Sequence, residues 1–148
     1  MSNPIAILSA MRTPMGGLMG SLSSLSASDL GGVAISSAIS KSGLNASDID
    51  EVLMGSVLTA GQGQAPARQA TLAAGLPVST PCTTVNKVCG SAMKSIMLGG
   101  NALRSGQASV VVAGGMESMS GAPYLLPQAR QGYRFGHAQM LDHMQYDG

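Results

Sequence analysis

The chain has no tryptophan, one phenylalanine and three tyrosines, and only 10% of its residues are charged. Each shortage excludes something. Without basic runs or aromatic clusters to stack bases, nucleic acid is not an expected partner. A net charge of +1 gives no strong field toward an acidic surface. No apolar run reaches the roughly 20 residues that span a bilayer, so no membrane segment is expected. The N-terminus lacks a basic stretch followed by an apolar core, so no secretory signal is expected and cytoplasm is the default. Two cysteines without CxxC spacing make neither a disulfide framework nor a zinc site. No GxGxxG follows the first expected strand and there is no GxxxxGK[ST], so the fingerprints of nucleotide phosphate binding are missing.

What is abundant is apolar and small. Apolar residues make up 45% of the 148, with 20 glycines and 11 methionines. Soluble domains usually carry about 25% charged residues, so this chain is poor in solvated surface. Some of its surface is expected to be covered, by more chain or by a partner. The methionines read chiefly as adaptable core filler.

The pattern alternates strands and helices. Strands are expected at Pro4–Leu8, Glu51–Leu58, Cys82–Val85 and Ser109–Ala113. The last reads as a continuous apolar strand buried on both faces. A Gly- and Ser-rich loop is expected from Met15 to Ser28. A helix should follow an N-cap at Ser28-Asp29, with Leu30, Val33, Ala34, Ser37 and Ala38 as its apolar positions and Gly43 as its stop. Gly31 and Gly32 weaken that helix, which should therefore depend on packing. Ser47–Asp50 reads as a turn and Thr59–Ala65 as a loop. Pro66 fits a first helical position, opening a helix to about Ala74. The longest helix should run from Val88 to Arg104, with Val88, Ala92, Ile96 and Leu103 supplying its apolar face. The β-α-β-α-β-α-β order predicts an α/β fold with a parallel or mixed sheet. Residues 121–148 hold all the tyrosines, the phenylalanine and both histidines, and read as an excursion with little regular core pattern.

Chemistry gathers at Val85-Asn86-Lys87-Val88-Cys89-Gly90-Ser91. Cys89 falls where a strand hands over to a helix. A helix N-terminus offers unpaired N–H groups and partial positive charge, both of which favour a thiolate. Gly90, Ser91 and Ala92 are small and leave the sulfur approachable. Nucleophilic attack on a carbonyl, with the acyl group held as a thioester, is the chemistry this suggests. The competing expectation is burial, the common fate of a free cysteine. Cys82 reads as a small core residue at a strand start.

The Asn86–Ser91 block resembles the nucleophile motif of the thiolases, in their acetyl-CoA acetyltransferase branch. Three further blocks agree in order and spacing: Ala10–Pro14, Met54–Gln69 and Ala113–Ser120. The Asn-Lys-Val-Cys-Gly-Ser and Gly-Gly-Met-Glu-Ser-Met-Ser blocks favour thiolase over the ketoacyl synthases, which share the fold and the cysteine. The resemblance spans the whole chain but only the first part of a thiolase. It implies the N-terminal half of a layered αβαβα fold, incomplete here. It divides the chain into a thiolase domain over 1–120 and the start of an inserted loop domain over 121–148, which serves tetramerisation and coenzyme A binding. It implies condensation of two acetyl-CoA to acetoacetyl-CoA and CoA, or the thiolytic reverse, with the acetyl group on Cys89. The Cys89 backbone N–H would be an oxyanion donor. CoA thioesters are then substrates, so no separate cofactor or metal is implied, and the complete enzyme would be a homo-oligomer, dimer or tetramer.

The resemblance also states what else is needed. Thiolases take an activating histidine from a Gly-His-Pro motif and an acid/base cysteine from Cys-x-Gly-Gly-Gly, both in the second half. A water-positioning asparagine comes from that half too. None of these motifs occurs here. His137 and His143 lie in the excursion and read as surface or interface residues. Glu117 reads as structural, bonding backbone groups near the site. Arg12 should fix its loop and Arg68 should tie its helix to the loop before it. Lys87 and Lys94 read as solvated or packing residues. On this view the isolated chain is inactive until completed by the second half. The alternative is a non-catalytic thiolase-like module for binding or assembly.

Overall fold

The computed structural model describes residues 4–148. Its centre is a parallel three-stranded sheet made of β1 (Glu51–Gly55), β2 (Cys82–Val85) and β3 (Val111–Gly115), in the order β2-β1-β3. Val52 lies opposite Cys82 on one side, and Glu51 opposite Val111 on the other. Helices α1 (Ala27–Ser42) and α2 (Pro66–Ala73) cover one face; α3 (Ser91–Ser105) covers the other. Strand alternation sorts the residues between these faces. Val52, Met54, Val110 and Val112 join the core under α1 and α2, with Ile35, Ile39 and Ala70. Gly55, Val111, Ala113 and Gly115 meet α3 instead. The expected α/β class and parallel sheet are thus seen, as one α-β-α stack.

The first expected strand, Pro4–Leu8, does not form. The segment has no regular structure and joins no ladder, and Ile7 is 86% exposed. Its apolar run has no strand beside it to complete a sheet edge, so periodicity alone overstated it. Ser9 Oγ donates to Ala38 C=O instead, fastening the segment to α1.

Helix α1 begins two residues earlier than expected. Ser26 is the N-cap and Asp29 closes a capping box as the third helical residue. Its buried stripe is Ala27, Ser28, Gly31, Gly32, Ile35 and Ile39, while Val33 is exposed. The face differs from the expected one because α1 meets α2 through its glycines. A Cβ on Gly32 would lie 2.9 Å from Ala73 Cβ, and one on Gly31 would lie 3.2 Å from Ala70 Cβ. The glycines that weaken the helix are therefore its packing contact. Helix α2 has Pro66 at its start, as expected. Arg68 reaches the loop after α2 rather than the one before, donating to Val78 C=O at 2.9 Å.

Strand β1, not β3, is buried on both faces, because β3 lies at the sheet edge and is half-buried. β1 also stops at Gly55, short of Leu58. The face of α3 that meets the sheet is small: Ser91, Ser95, Gly99 and Ala102 are its buried residues. The larger apolar residues point away, with Met93 67%, Ile96 57% and Met97 61% exposed. Of the residues expected to form its apolar face, Ile96 points outward, Ala92 meets the sheet ends, Leu103 is half-buried and Val88 lies before the helix begins.

The last 28 residues are more regular than expected. Tyr124–Leu125 (β4) pairs antiparallel with Leu141–Asp142 (β5), and a short helix follows, α4 (His143–Asp147). Polar composition concealed this, because so short a pair leaves little periodicity.

Asp50 joins the starts of β1 and β3. Its carboxylate accepts the Ser109 and Val110 N–H groups at 2.7 and 3.0 Å. These bonds hold its pKa below the ordinary value. The stabilisation is therefore present above the unfolded value of about 3.9 and is lost as pH falls through the lowered folded value. Asp50→Asn should flatten the fall in urea midpoint between about pH 6 and about pH 3. An unchanged slope would remove Asp50 from the acid response.

Candidate active site

Cys89 stands at the carboxyl end of the sheet, between β2 and α3. Ligands of open parallel sheets bind at this end. Two glycines bring the helix there. A Cβ on Gly55 would fall 2.6 Å from the Ala92 nitrogen, and one on Gly115 would fall 2.7 Å from Ala92 Cβ. With hydrogens in those places, the first turn of α3 rests directly on the ends of β1 and β3. Gly55→Ala should cost about 1–3 kcal/mol of stability, since backbone atoms must give way. Thermal unfolding of this variant against the parent checks it.

The turn carrying Cys89 is tightly tied. Gly90 is the N-cap of α3, so Cys89 lies just before the helix rather than within its first turn. Val88 has φ 47°, in the left-handed region. A β-branched residue there carries a cost of about 1–3 kcal/mol. Asn86 Oδ1 accepts the Val88 N–H at 2.9 Å. Ser91 Oγ accepts the Lys87 N–H at 2.8 Å and donates to Val88 C=O at 2.6 Å. Gly90 N–H reaches back to Lys87 C=O at 3.0 Å. Asn86 and Ser91 were absent from the sequence reading as functional residues. The signal was available: an Asn that bonds the N–H two residues on is the mark of an Asx turn.

Cys89 is exposed on this turn, which answers the burial expectation. Among the described residues, no group hydrogen-bonds its thiol and none accepts its backbone N–H. Cys82, half-buried at the start of β2, packs on the core and directs its thiol to Thr80 C=O, as expected of a core residue.

Glu117 follows β3 and accepts the Val57 and Leu58 N–H groups at 2.8 and 3.2 Å. This is the backbone-bonding role expected of it, and it explains why β1 ends where it does. Val57 C=O in turn faces Asn86 Nδ2 at 3.5 Å. Glu117→Ala leaves both amides unpaired and should cost about 1–3 kcal/mol. A lowered melting temperature for this variant is the check.

The histidines part ways. His137 is exposed, as expected, beside Pro127, Tyr133 and Leu141. His143, expected at the surface or an interface, is instead buried within the chain. Its Nε2 accepts the Ala60 N–H at 3.3 Å and its Nδ1 faces the Asp147 carboxylate. Nε2 thus ties α4 to the loop at Ala60 while Nδ1 is engaged within α4, so both ring nitrogens are occupied. Lys87 is exposed and Lys94 half-buried. Arg12 is exposed, and among the described residues its guanidinium makes no hydrogen bond, so the loop-fixing role is not seen.

The structure thus places an exposed cysteine on a hydrogen-bonded turn at the carboxyl end of the sheet, with the helix that follows it pressed onto the sheet ends. The thiolase N-terminal domain model matches residues 5–148. The chain belongs to the thiolase family. Among its relatives, the acetyl-CoA acetyltransferase of Pseudomonas aeruginosa is 51% identical over 97% of this chain and 37% of its own length. The mitochondrial acetyl-CoA acetyltransferase of Danio rerio is 54% identical over 99% of this chain and 34% of its own. Acetyl-CoA acetyltransferase 2 of Arabidopsis thaliana is 52% identical over 97% of this chain and 36% of its own. The chain therefore spans little more than a third of the thiolases it matches.

Proposed function

We propose that Cys89 is the acyl-carrying nucleophile of an acetyl-CoA acetyltransferase to which this chain contributes the N-terminal thiolase domain. The observation that carries this reading is the exposed, unpartnered Cys89 thiol on a fixed turn at the carboxyl end of the sheet. The Cys89 thiolate attacks the carbonyl carbon of acetyl-CoA. The carbonyl oxygen takes up negative charge, and the unengaged Cys89 N–H is the donor proposed for it. Collapse breaks the bond to the CoA sulfur, which leaves as a thiol after taking a proton. A second acetyl-CoA then loses an α-proton, and its carbanion attacks the acetyl thioester. Acetoacetyl-CoA departs and the Cys89 thiolate returns. The reverse sequence is thiolysis.

Two proton transfers in this scheme, protonation of the departing CoA sulfur and removal of the α-proton, need an acid or base beside the Cys89 sulfur. Both His143 nitrogens are occupied elsewhere. This supports the reading that the acid/base groups come from further polypeptide. The exposed outer face of α3, with Met93, Ile96 and Met97, supports it too, as a surface suited to packing rather than water. We read 1–120 as thiolase domain and 121–148 as the opening of the loop domain, in a homo-oligomeric enzyme. No helix among the described residues is long and apolar enough to cross a membrane. Relatives include one named mitochondrial, so cytoplasm is a proposal for this chain alone.

The test is acetyl transfer from labelled acetyl-CoA to the protein at its natural length. Label should sit on the peptide containing Cys89, and Cys89→Ser should lose it together with acetoacetyl-CoA formation. Acetoacetyl-CoA formed by that variant at the parental rate would refute the assignment. The 148-residue chain alone should show negligible turnover.

A further inference from the structure

We propose that Asn86 and Ser91 are positioning residues, which clamp Val88 in its left-handed conformation and so fix where the Cys89 thiol points. The proposal deepens the acyl-carrier reading of Cys89 and rests on it. Valine does not hold φ 47° unaided, because its branched Cβ crowds the backbone. Something must over-determine it. Each peptide group of Val88 has its own side-chain partner. Asn86 Oδ1 takes the N–H, and Ser91 Oγ gives its proton to the C=O. The Ser91 oxygen also takes the Lys87 N–H, so one buried hydroxyl spans the turn. The Ser91 backbone N–H adds a second bond to Val88 C=O at 3.0 Å.

The clamp has a base of its own. Asn86 Nδ2 faces Val57 C=O, and Val57 N–H is held by Glu117. On the other side, the α3 turn that contains Ser91 is pressed against Gly55. With the clamp released, Val88 relaxes to negative φ, the next peptide unit swings, and Cys89 moves with it. The fold remains, but the sulfur no longer lies where an acyl carbonyl is held.

The experiment uses the protein at its natural length and four variants: Asn86→Ala and Ser91→Ala, each with and without Val88→Gly. Two rates are read, acetylation of Cys89 by acetyl-CoA in a single turnover and alkylation of Cys89 by iodoacetamide across pH. Each alanine variant should acetylate roughly 10- to 100-fold more slowly at saturating acetyl-CoA, with an unchanged half-saturating concentration, as misplacement of a reacting atom predicts. Glycine takes positive φ without help, so Val88→Gly should restore most of the rate to Asn86→Ala. Unchanged acetylation in both alanine variants overturns the clamp, as does a loss that Val88→Gly leaves in place. Should an alanine variant fail to fold, Asn86→Ser keeps an uncharged side-chain acceptor for the N–H two residues on and should acetylate faster than a misplaced sulfur allows, within about 10-fold of the parent. A loss in Asn86→Ser that Val88→Gly does not recover, with the melting temperature retained, overturns the clamp as well. A parent that takes no acetyl group refutes the acyl-carrier reading by itself. The clamp is then decided by alkylation, where an unaltered rate and pH profile in both alanine variants would sink it.

Discussion

The first turn of α3 touches the ends of β1 and β3 at two glycines, so neither strand places a side chain in the contact. Gly55 and Gly115 permit this, and any Cβ at either place would enter the space of Ala92. Much else depends on that contact. It puts Ser91 in the core, where its hydroxyl spans the Lys87–Val88 turn. It also makes the inner face of α3 small, with Ser95 and Gly99 continuing the stripe toward β3. A helix that approaches a sheet so closely has room on that side only for the smallest side chains, Gly, Ala and Ser. Its methionines and isoleucine must then lie on the other side.

That division explains why the sequence was legible in some places and not in others. Alternation and glycine punctuation placed β1, β2 and α2 well, because each is bounded by residues with one strong local preference. The parallel α/β class followed from the same alternation. Cys89 was legible for a different reason: its block carries a family motif whose type and spacing are specific. The face of α3 was misread by the rule that large apolar residues point inward; in α1 that rule holds for Ile35 and Ile39, and the expected face of Leu30, Val33, Ala34, Ser37 and Ala38 was out of phase with them. In both helices the closest packing is made by Gly, Ser and Ala. Pro4–Leu8 was misread because strand character in a ladder needs a partner, which no periodicity supplies. His143 looked superficial because its burial comes from two long-range partners, Ala60 and the chain around Pro123.

The charge content has a structural counterpart. A chain with 10% charged residues leaves apolar surface somewhere, and α3 and the Pro4–Leu8 segment are where much of it lies. The two are neighbours, since a Cβ on Gly100 of α3 would meet Ile5 Cδ1 at 3.8 Å. The surface is therefore continuous rather than scattered, which is the form that protein contacts take. This agrees with the length relation, in which relatives extend well past the region matched here.

A nucleophile must be exposed to its substrate yet fixed in direction, and exposure removes the packing that usually fixes a side chain. Cys89, in the proposed role, would meet both demands by having its turn, rather than its side chain, held. The bonds that hold the turn are all made by its neighbours: Asn86 and Gly90 on either side, and Ser91 from below. None of them uses the sulfur or the Cys89 N–H, the two groups an acyl transfer would engage. The strain at Val88 is small beside the bonds that surround it, so the turn keeps one shape while its reactive atoms stay free.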